Sequence, residues 1–373
     1  MHEGNAMKHE RNKKFIRRAA FALTAAALSL SFAAPTCAAE TQLNLGSRFN
    51  QYVANAVSDI LSEVVTIPKK YSLNDSDLVA PQPNEACYGT AADSEEIRGM
   101  LEKASSVLDG QTWMLTPDTQ LMDGTAVRYY LDETIFSAAW KQVIDSAVYT
   151  FCETKVMDAS QFRRFYAGGT FGTTALSTTT EMAKSVNAVS ATSGDYYVYR
   201  PSGISVNNGV VYRIDRGRAI DTCFIDTEGD LLLVGKGTLI TQEEVEQYVK
   251  ENNIRFSLAF GPILVKDGAQ CAPATYEFGQ INENYSRAAL CQLGKLHYLT
   301  VTVNSGPDAY HLPNVKSFAK QLQALGIDNA YALDGGQTAT IVLGNELIND
   351  VDYGDERKIS DIIYFATAIP GEK

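Results

Sequence analysis

Histidine is scarce in this 373-residue chain: His2, His9, His297 and His311 are all it has. That argues against a histidine-rich metal site and leaves a Ser-His-acid triad few candidate bases. None of the six cysteines lies in a Cys-x-x-Cys pair, so neither a zinc knuckle nor a dithiol redox motif is written here. Basic residues are also short, 32 against 44 acids, for a net charge of −12. Such a chain does not bind nucleic acid or anionic lipid by bulk electrostatics, so any anionic ligand must be held by local arginines and backbone amides. The apolar run at 19–34 is short of the roughly 20 residues that a membrane-spanning helix needs.

What is present begins with a leader. Lys8, Arg11, Lys13, Lys14, Arg17 and Arg18 precede an uncharged stretch at 19–34, and small residues follow to Ala39. This is the pattern of a secretory signal, which gives the expectation of a secreted or cell-surface protein, with an uncleaved membrane anchor as the alternative. Cleavage after Ala39 removes six bases and two acids, leaving 26 and 42 and a net charge of −16. The five remaining cysteines, Cys87, Cys152, Cys223, Cys271 and Cys291, are odd in number and imply at least one free thiol.

Apolar residues recur at helical spacing over 47–67, ended by Pro68, and again over 95–108, ended by Gly110. Residues 68–92 are polar and turn-rich, and 111–145 are mixed. Residues 40–145 therefore read as a helical N-terminal region with a linker, and 146–373 as the main domain. The expected fold class is α+β, a mixed sheet with packed helices.

From residue 147 β-branched and aromatic residues dominate. Asn208-Gly209, Glu228-Gly229 and Gly344-Asn345 sit between strand-like runs and predict hairpins. Thr178 with Glu181, and Thr241 with Glu244, predict capping boxes at two helix starts. Residues 255–265 read as one strand, ended by Asp267-Gly268. Residues 298–303 alternate as a strand, Pro313 opens a helix that Gly326 closes, and 329–333 form the next strand. Strand, helix, strand over about 35 residues predicts a crossover with parallel strands.

The second of those strands ends in Leu333-Asp334-Gly335-Gly336-Gln337-Thr338. A carboxylate at a strand's carboxyl end, followed by residues with almost no side chain, lets backbone N–H groups approach a ligand beside a fixed acid. Taken alone, Asp-Gly-Gly is also common turn chemistry, with the acid bonding its own backbone.

The run Leu-Asp-Gly-Gly-x-Thr-x-Thr at 333–340 resembles the signature of the phosphodiester glycosidase family. Further segments resemble that family in the same order. They are Asn187 with Ser193-Gly194-Asp195-Tyr196, the hairpin at 203–213, the Gly-Pro strand at 260–268, Ser286-Arg287-Ala288-Ala289 and the closing strand at 357–363. The resemblance covers about 146–366. Gln337 stands where the family usually has a third glycine, and Ser193 where it usually has asparagine.

The resemblance implies hydrolysis of a sugar-1-phosphodiester on an extracellular or envelope glycan; no cofactor is expected and no metal ligand is assigned, metal dependence being left open. It makes Asp334 the leading catalytic carboxylate, with Asp195 and then Glu153 as candidate partners. Arg287 would hold the phosphate, as guanidinium groups do. Gly335, Gly336, Gln337, Thr338, Ser193 and Gly194 would complete the substrate site. Gln337 and Ser193 motivate the alternative, a non-catalytic glycan- or polymer-binding envelope protein. The implied partner is a phosphodiester-linked sugar or envelope glycan, with no nucleic acid, and with a membrane contact only through an uncleaved N-terminal segment.

Overall fold

Two-residue turns with both residues in the left-handed region impose much of the architecture. Asp145-Ser146, Asn208-Gly209, Asp267-Gly268 and Gly344-Asn345 all have positive φ at both positions, the twist that tight antiparallel hairpins require. A computed structural model describes residues 113–368 except 121–125, 133, 201, 215–219, 278 and 305–310, together with Leu108 and Gln111. The expected signal segment, the linker and the helix at 47–67 lie outside the described residues, as does nearly all of the helix at 95–108.

The elements in chain order are β1 (Trp113–Gln120), β2 (Ala126–Asp132), β3 (Ile135–Ile144), β4 (Ala147–Val156), β5 (Phe162–Tyr166), α1 (Thr179–Ser185) and β6 (Ser190–Ser193). There follow β7 (Ser205–Asn207), β8 (Val210–Arg213), β9 (Thr222–Asp226), β10 (Leu231–Val234), α2 (Gln242–Glu251), β11 (Ile254–Leu258), β12 (Ile263–Lys266) and β13 (Ala269–Gln270). The last are β14 (Arg287–Gly294), β15 (His297–Asn304), α3 (Val315–Ala324), β16 (Asn329–Leu333), β17 (Ile341–Leu343), β18 (Glu346–Leu347) and β19 (Asp361–Phe365). The described fold is α+β and dominated by strands.

Three sheets result. Nine strands run in the order β1-β2-β3-β4-β15-β14-β16-β12-β13, five as β10-β9-β11-β7-β8, and five as β18-β17-β6-β19-β5. Residues 113–144, the described part of the stretch expected to be helical or mixed, are strands of the largest sheet. The reason is pairing: β3 pairs with β4 along its whole length, and its residues 135–140, Ala138 and Trp140 among them, are buried. Neighbouring strands, more than local propensity, decide strand formation.

The expected strand at 255–265 is two strands in two sheets. β11 belongs to the second sheet and β12 to the first, and the chain changes sheet at residues 259–262, where Gly261 has φ +71. A Cβ at that glycine would meet the Tyr276 hydroxyl at 2.1 Å. The crossover holds in modified form. β15 and β16 both pair antiparallel with β14, so they run parallel with one strand between them. Asn314, one residue after Pro313, caps α3 by accepting from the Ser317 amide at 2.8 Å. Both expected capping boxes are formed.

The sheets meet on rings. Phe162 of β5 lies 4.7 Å from Phe365 of β19, 4.9 Å from Tyr298 of β15 and 5.5 Å from Phe256 of β11. One aromatic cluster thus joins all three layers, with contact geometries that aromatic pairs favour.

Candidate active site

β16 delivers Asp334 to the edge of a cavity of about 110 Å³. The central strands β14 and β16 supply Arg287, Ala288, Ala332 and Leu333 to its lining, α3 supplies Val315 and Phe318, and the sheet-changing segment supplies Phe260. Tyr196, Arg200, Gln280 and Tyr285 complete much of the remainder. Among the described residues, Asp334 is the only carboxylate on this lining, and Arg200 and Arg287 are its guanidinium groups.

Asp334 is held from two sides. Its Oδ1 accepts the Gly335 amide at 3.0 Å, and its Oδ2 is ion-paired with Arg357. The side chain keeps 17% exposure. Burial pushes its carboxyl above the ordinary range, while Arg357, the Thr338 hydroxyl, the Gly335 amide and Arg200 pull in the opposite direction.

Arg287 is buried at the first position of β14. Its Nη2 donates to the carbonyls of Gln280 and Glu283, both at 2.7 Å, and its Nε has no hydrogen-bond partner. No carboxylate pairs with it among the described residues. Burial pulls its pKa down to about 10, so it remains a cation at neutral pH with donor capacity to spare. Arg200 lies over the rings of Phe260 and Tyr196, 4.8 and 5.7 Å from their centroids. Tyr285 lies under Arg287 at 5.6 Å.

The glycine loop departs from the sequence expectation. The Gly336 amide donates to Ser286 O at 3.3 Å, the Thr338 amide to Gly335 O at 3.3 Å and the Thr338 hydroxyl to Gly335 O at 2.8 Å. The amides expected to face a ligand are therefore occupied within the protein, the Gly335 amide by Asp334 itself. The glycines are required for close approach: a Cβ at Gly335 would stand 2.2 Å from Ser286 O, and one at Gly336 (φ +66) 2.5 Å from the Tyr285 hydroxyl. Gln337 donates from Nε2 to Asp355 O at 2.9 Å and does not line the cavity. Only Gly335 of the expected loop residues does.

The candidate partner acids lie elsewhere. Glu153 is fully buried on β4, with Oε1 2.6 Å from His297 Nε2. Strand alternation in a sheet covered on that face puts it in the interior, not in the cavity. Asp195 is buried beside Arg164, at 3.5 Å, and Arg164 also binds Asp361 at 2.7 Å and Ser257 O at 2.6 Å. Burial pushes the Asp361 carboxyl up against the pull of Arg164. Asp195 accepts the Tyr196 amide at 2.6 Å, so it anchors a cavity residue without lining the cavity. Gly194 leaves room for Asp361, whose Oδ2 would be 2.2 Å from a Cβ there. Ser193 is buried on β6, and its hydroxyl has no hydrogen-bond partner.

Sequence reasoning missed Arg357, Arg200, Tyr196 and Tyr285 as site residues. Arg357 lies 5.3 Å from the Tyr196 ring centroid and 5.5 Å from that of Tyr199. The available signal was the cluster Tyr196-Tyr197-x-Tyr199-Arg200 just after the Gly-Asp step, which crowds rings and a cation into one turn.

Residues 181–366 match the phosphodiester glycosidase model, and over this span the chain belongs to that family. An SPbeta prophage-derived uncharacterized protein, YomE of Bacillus subtilis (strain 168), is 28% identical over 206 residues, which are 52% of this chain and 30% of that protein. The chain thus spans under a third of that curated relative. Among solved structures, the catalytic domain of zebrafish N-acetylglucosamine-1-phosphodiester alpha-N-acetylglucosaminidase, auto-inhibited by its pro-peptide, is similar at 17% identity. The TM-score is 0.49, over 79% of this chain and 99% of that one. A hypothetical protein from Synechocystis is similar at 12% identity and TM-score 0.44, over 62% of each chain.

Proposed function

We propose that this protein hydrolyses the bond between an anomeric carbon and a phosphodiester. The observation that carries the reading is a cavity with one carboxylate, Asp334, and two guanidinium groups, Arg200 and Arg287, in a domain of a glycosidase family. Arg287 and Arg200 bind the phosphodiester anion, and Asp334 protonates the bridging oxygen as the C1–O bond breaks. Water supplies the hydroxyl of the free sugar, and the aglycone departs as a phosphomonoester. Phosphate is a good leaving group, so modest proton donation suffices, and the arginines stabilise the charge that gathers on it. Phe260, Tyr196 and Tyr285 offer ring surface for the sugar. The leader at 8–39 supports export, with an envelope or extracellular glycan as substrate.

The test is incubation of the purified protein with a panel of sugar-1-phosphodiesters, scored by release of reducing sugar and of phosphomonoester. Turnover that disappears in Asp334→Asn supports the reading. A second reading, a non-catalytic glycan-binding envelope protein, is favoured by the loop amides being occupied and by Asp334 being ion-paired. Saturable binding with no product from any of the panel would select it.

A further inference from the structure

Arg357 is not on the cavity lining, yet it pairs with the one carboxylate that is. Its guanidinium lies against the Tyr196 and Tyr199 rings, its side chain is 37% exposed, and its Nε has no hydrogen-bond partner. A cation held by one carboxylate and two ring faces, with an unused donor, can donate a hydrogen bond to a second anion. A phosphodiester bound by Arg287 and Arg200 would bring a competing anion next to it.

We propose that Arg357 is an exchangeable counter-ion: it holds Asp334 as a carboxylate in the free protein and moves to the substrate's phosphodiester on binding, whereupon Asp334 takes up a proton from solvent. That is the proton it then gives to the bridging oxygen. The sugar–O–phosphodiester and water become free sugar and a phosphomonoester, and the proton lost by water replaces the one Asp334 donated. This inference rests on the hydrolase reading for its catalytic meaning, but the exchange itself does not require turnover.

The surroundings agree with it. The groups facing Asp334 are Arg357, Arg200, the Thr338 hydroxyl and the Gly335 amide. Tyr196 and Tyr285 feel its charge, and Tyr285 also feels Asp352 and Tyr353. Burial favours the neutral acid, and of the opposing influences Arg357 is the largest, so withdrawing it moves Asp334 toward the neutral form against Thr338, Gly335 and Arg200. Arg357 is accordingly a positioning residue that acts through Asp334.

Calorimetric titration of the full-length protein with a C-glycosyl phosphonate monoester tests this. That probe stays monoanionic, and its C1–C bond cannot be hydrolysed. Titrations near pH 6 in buffers of different ionisation enthalpy count the protons exchanged on binding. The expected result is net proton uptake on binding by the wild type and by Arg357→Lys. Arg357→Met should bind with less proton uptake than the wild type, because the counter-ion that favours the carboxylate is gone before binding, and Asp334→Asn with close to none, because the acid is absent. Folding of each variant is checked by near-ultraviolet circular dichroism, and Arg357→Lys keeps the test alive should the methionine variant unfold. Wild-type binding without proton uptake, uptake undiminished in Arg357→Met, or failure of the phosphonate to bind overturns the proposal. Should the uptake pattern appear while no sugar-1-phosphodiester is turned over, the counter-ion exchange stands and the hydrolase reading falls.

Discussion

Asp334 is one residue with two competing influences, and its variants separate them. Asp334→Asn keeps the shape but removes the proton, so kcat should fall by about 10²–10⁴ with KM little changed, as measured by steady-state release of reducing sugar. Arg287→Met should do the reverse. Losing a charged hydrogen bond of about 1.5–3 kcal/mol should raise KM by about 10- to 100-fold with a smaller effect on kcat. At this scale the sequence was legible where chemistry dictates residue type. An acid at a strand tip before two glycines, and an arginine at a strand start, both reach the cavity. It was illegible where position depends on distant partners. Asp195 and Glu153 carry the right chemistry but pair with Arg164 and His297, which are far from them in sequence. Arg357, read in the sequence as the start of the closing strand, lies before that strand, which runs Asp361–Phe365, and acquires its importance only when residues 334 and 357 meet.

Turns and caps set the elements, and they were the most readable part of the chain. The capping boxes at Thr178 and Thr241 and the hairpins at Asn208-Gly209 and Gly344-Asn345 are local, because each is decided within four residues. Thr241→Ala should cost about 1 kcal/mol, read as a fall in the denaturant midpoint. The loop after β16 is stricter. Gly336→Ala combines a left-handed backbone with a 2.5 Å approach to the Tyr285 hydroxyl. It should destabilise the protein by about 1–3 kcal/mol and displace a cavity-lining ring, so stability and substrate affinity should fall together. The strands from 113 to 144 could not be read this way. They exist because β4 and its neighbours offer a long edge, and a pairing edge leaves no mark in the sequence it recruits.

Across the molecule, three sheets lean on a small number of shared side chains. Phe162 touches rings from all three, so Phe162→Ala should cost about 3–5 kcal/mol and lower the thermal midpoint far more than any surface change. His297 adds a pH signature. Burial, with Lys155 adding to it, pushes its pKa well below the ordinary imidazole value, so the unfolded chain takes up a proton near pH 6.5 that the folded chain refuses. The corresponding stability is complete above about pH 6.5 and declines as pH falls toward the depressed folded value, by up to about 1.4 kcal/mol per pH unit. Urea titrations at a series of pH values should show that slope, and His297→Gln should flatten it.

Arg164 reaches from the β5 sheet to the carbonyl of Ser257 in the neighbouring one, with Asp361 and Asp195 as its counter-charges. A guanidinium keeps its proton at any pH a protein survives, whereas Asp361, already shifted upward by burial, gives up its charge sooner than an ordinary aspartate as acidity increases. The seam between those two layers is therefore sensitive to acid at Asp361. Once Asp361 is neutral, a buried cation is left with Asp195 alone as counter-charge, and the seam between those layers weakens.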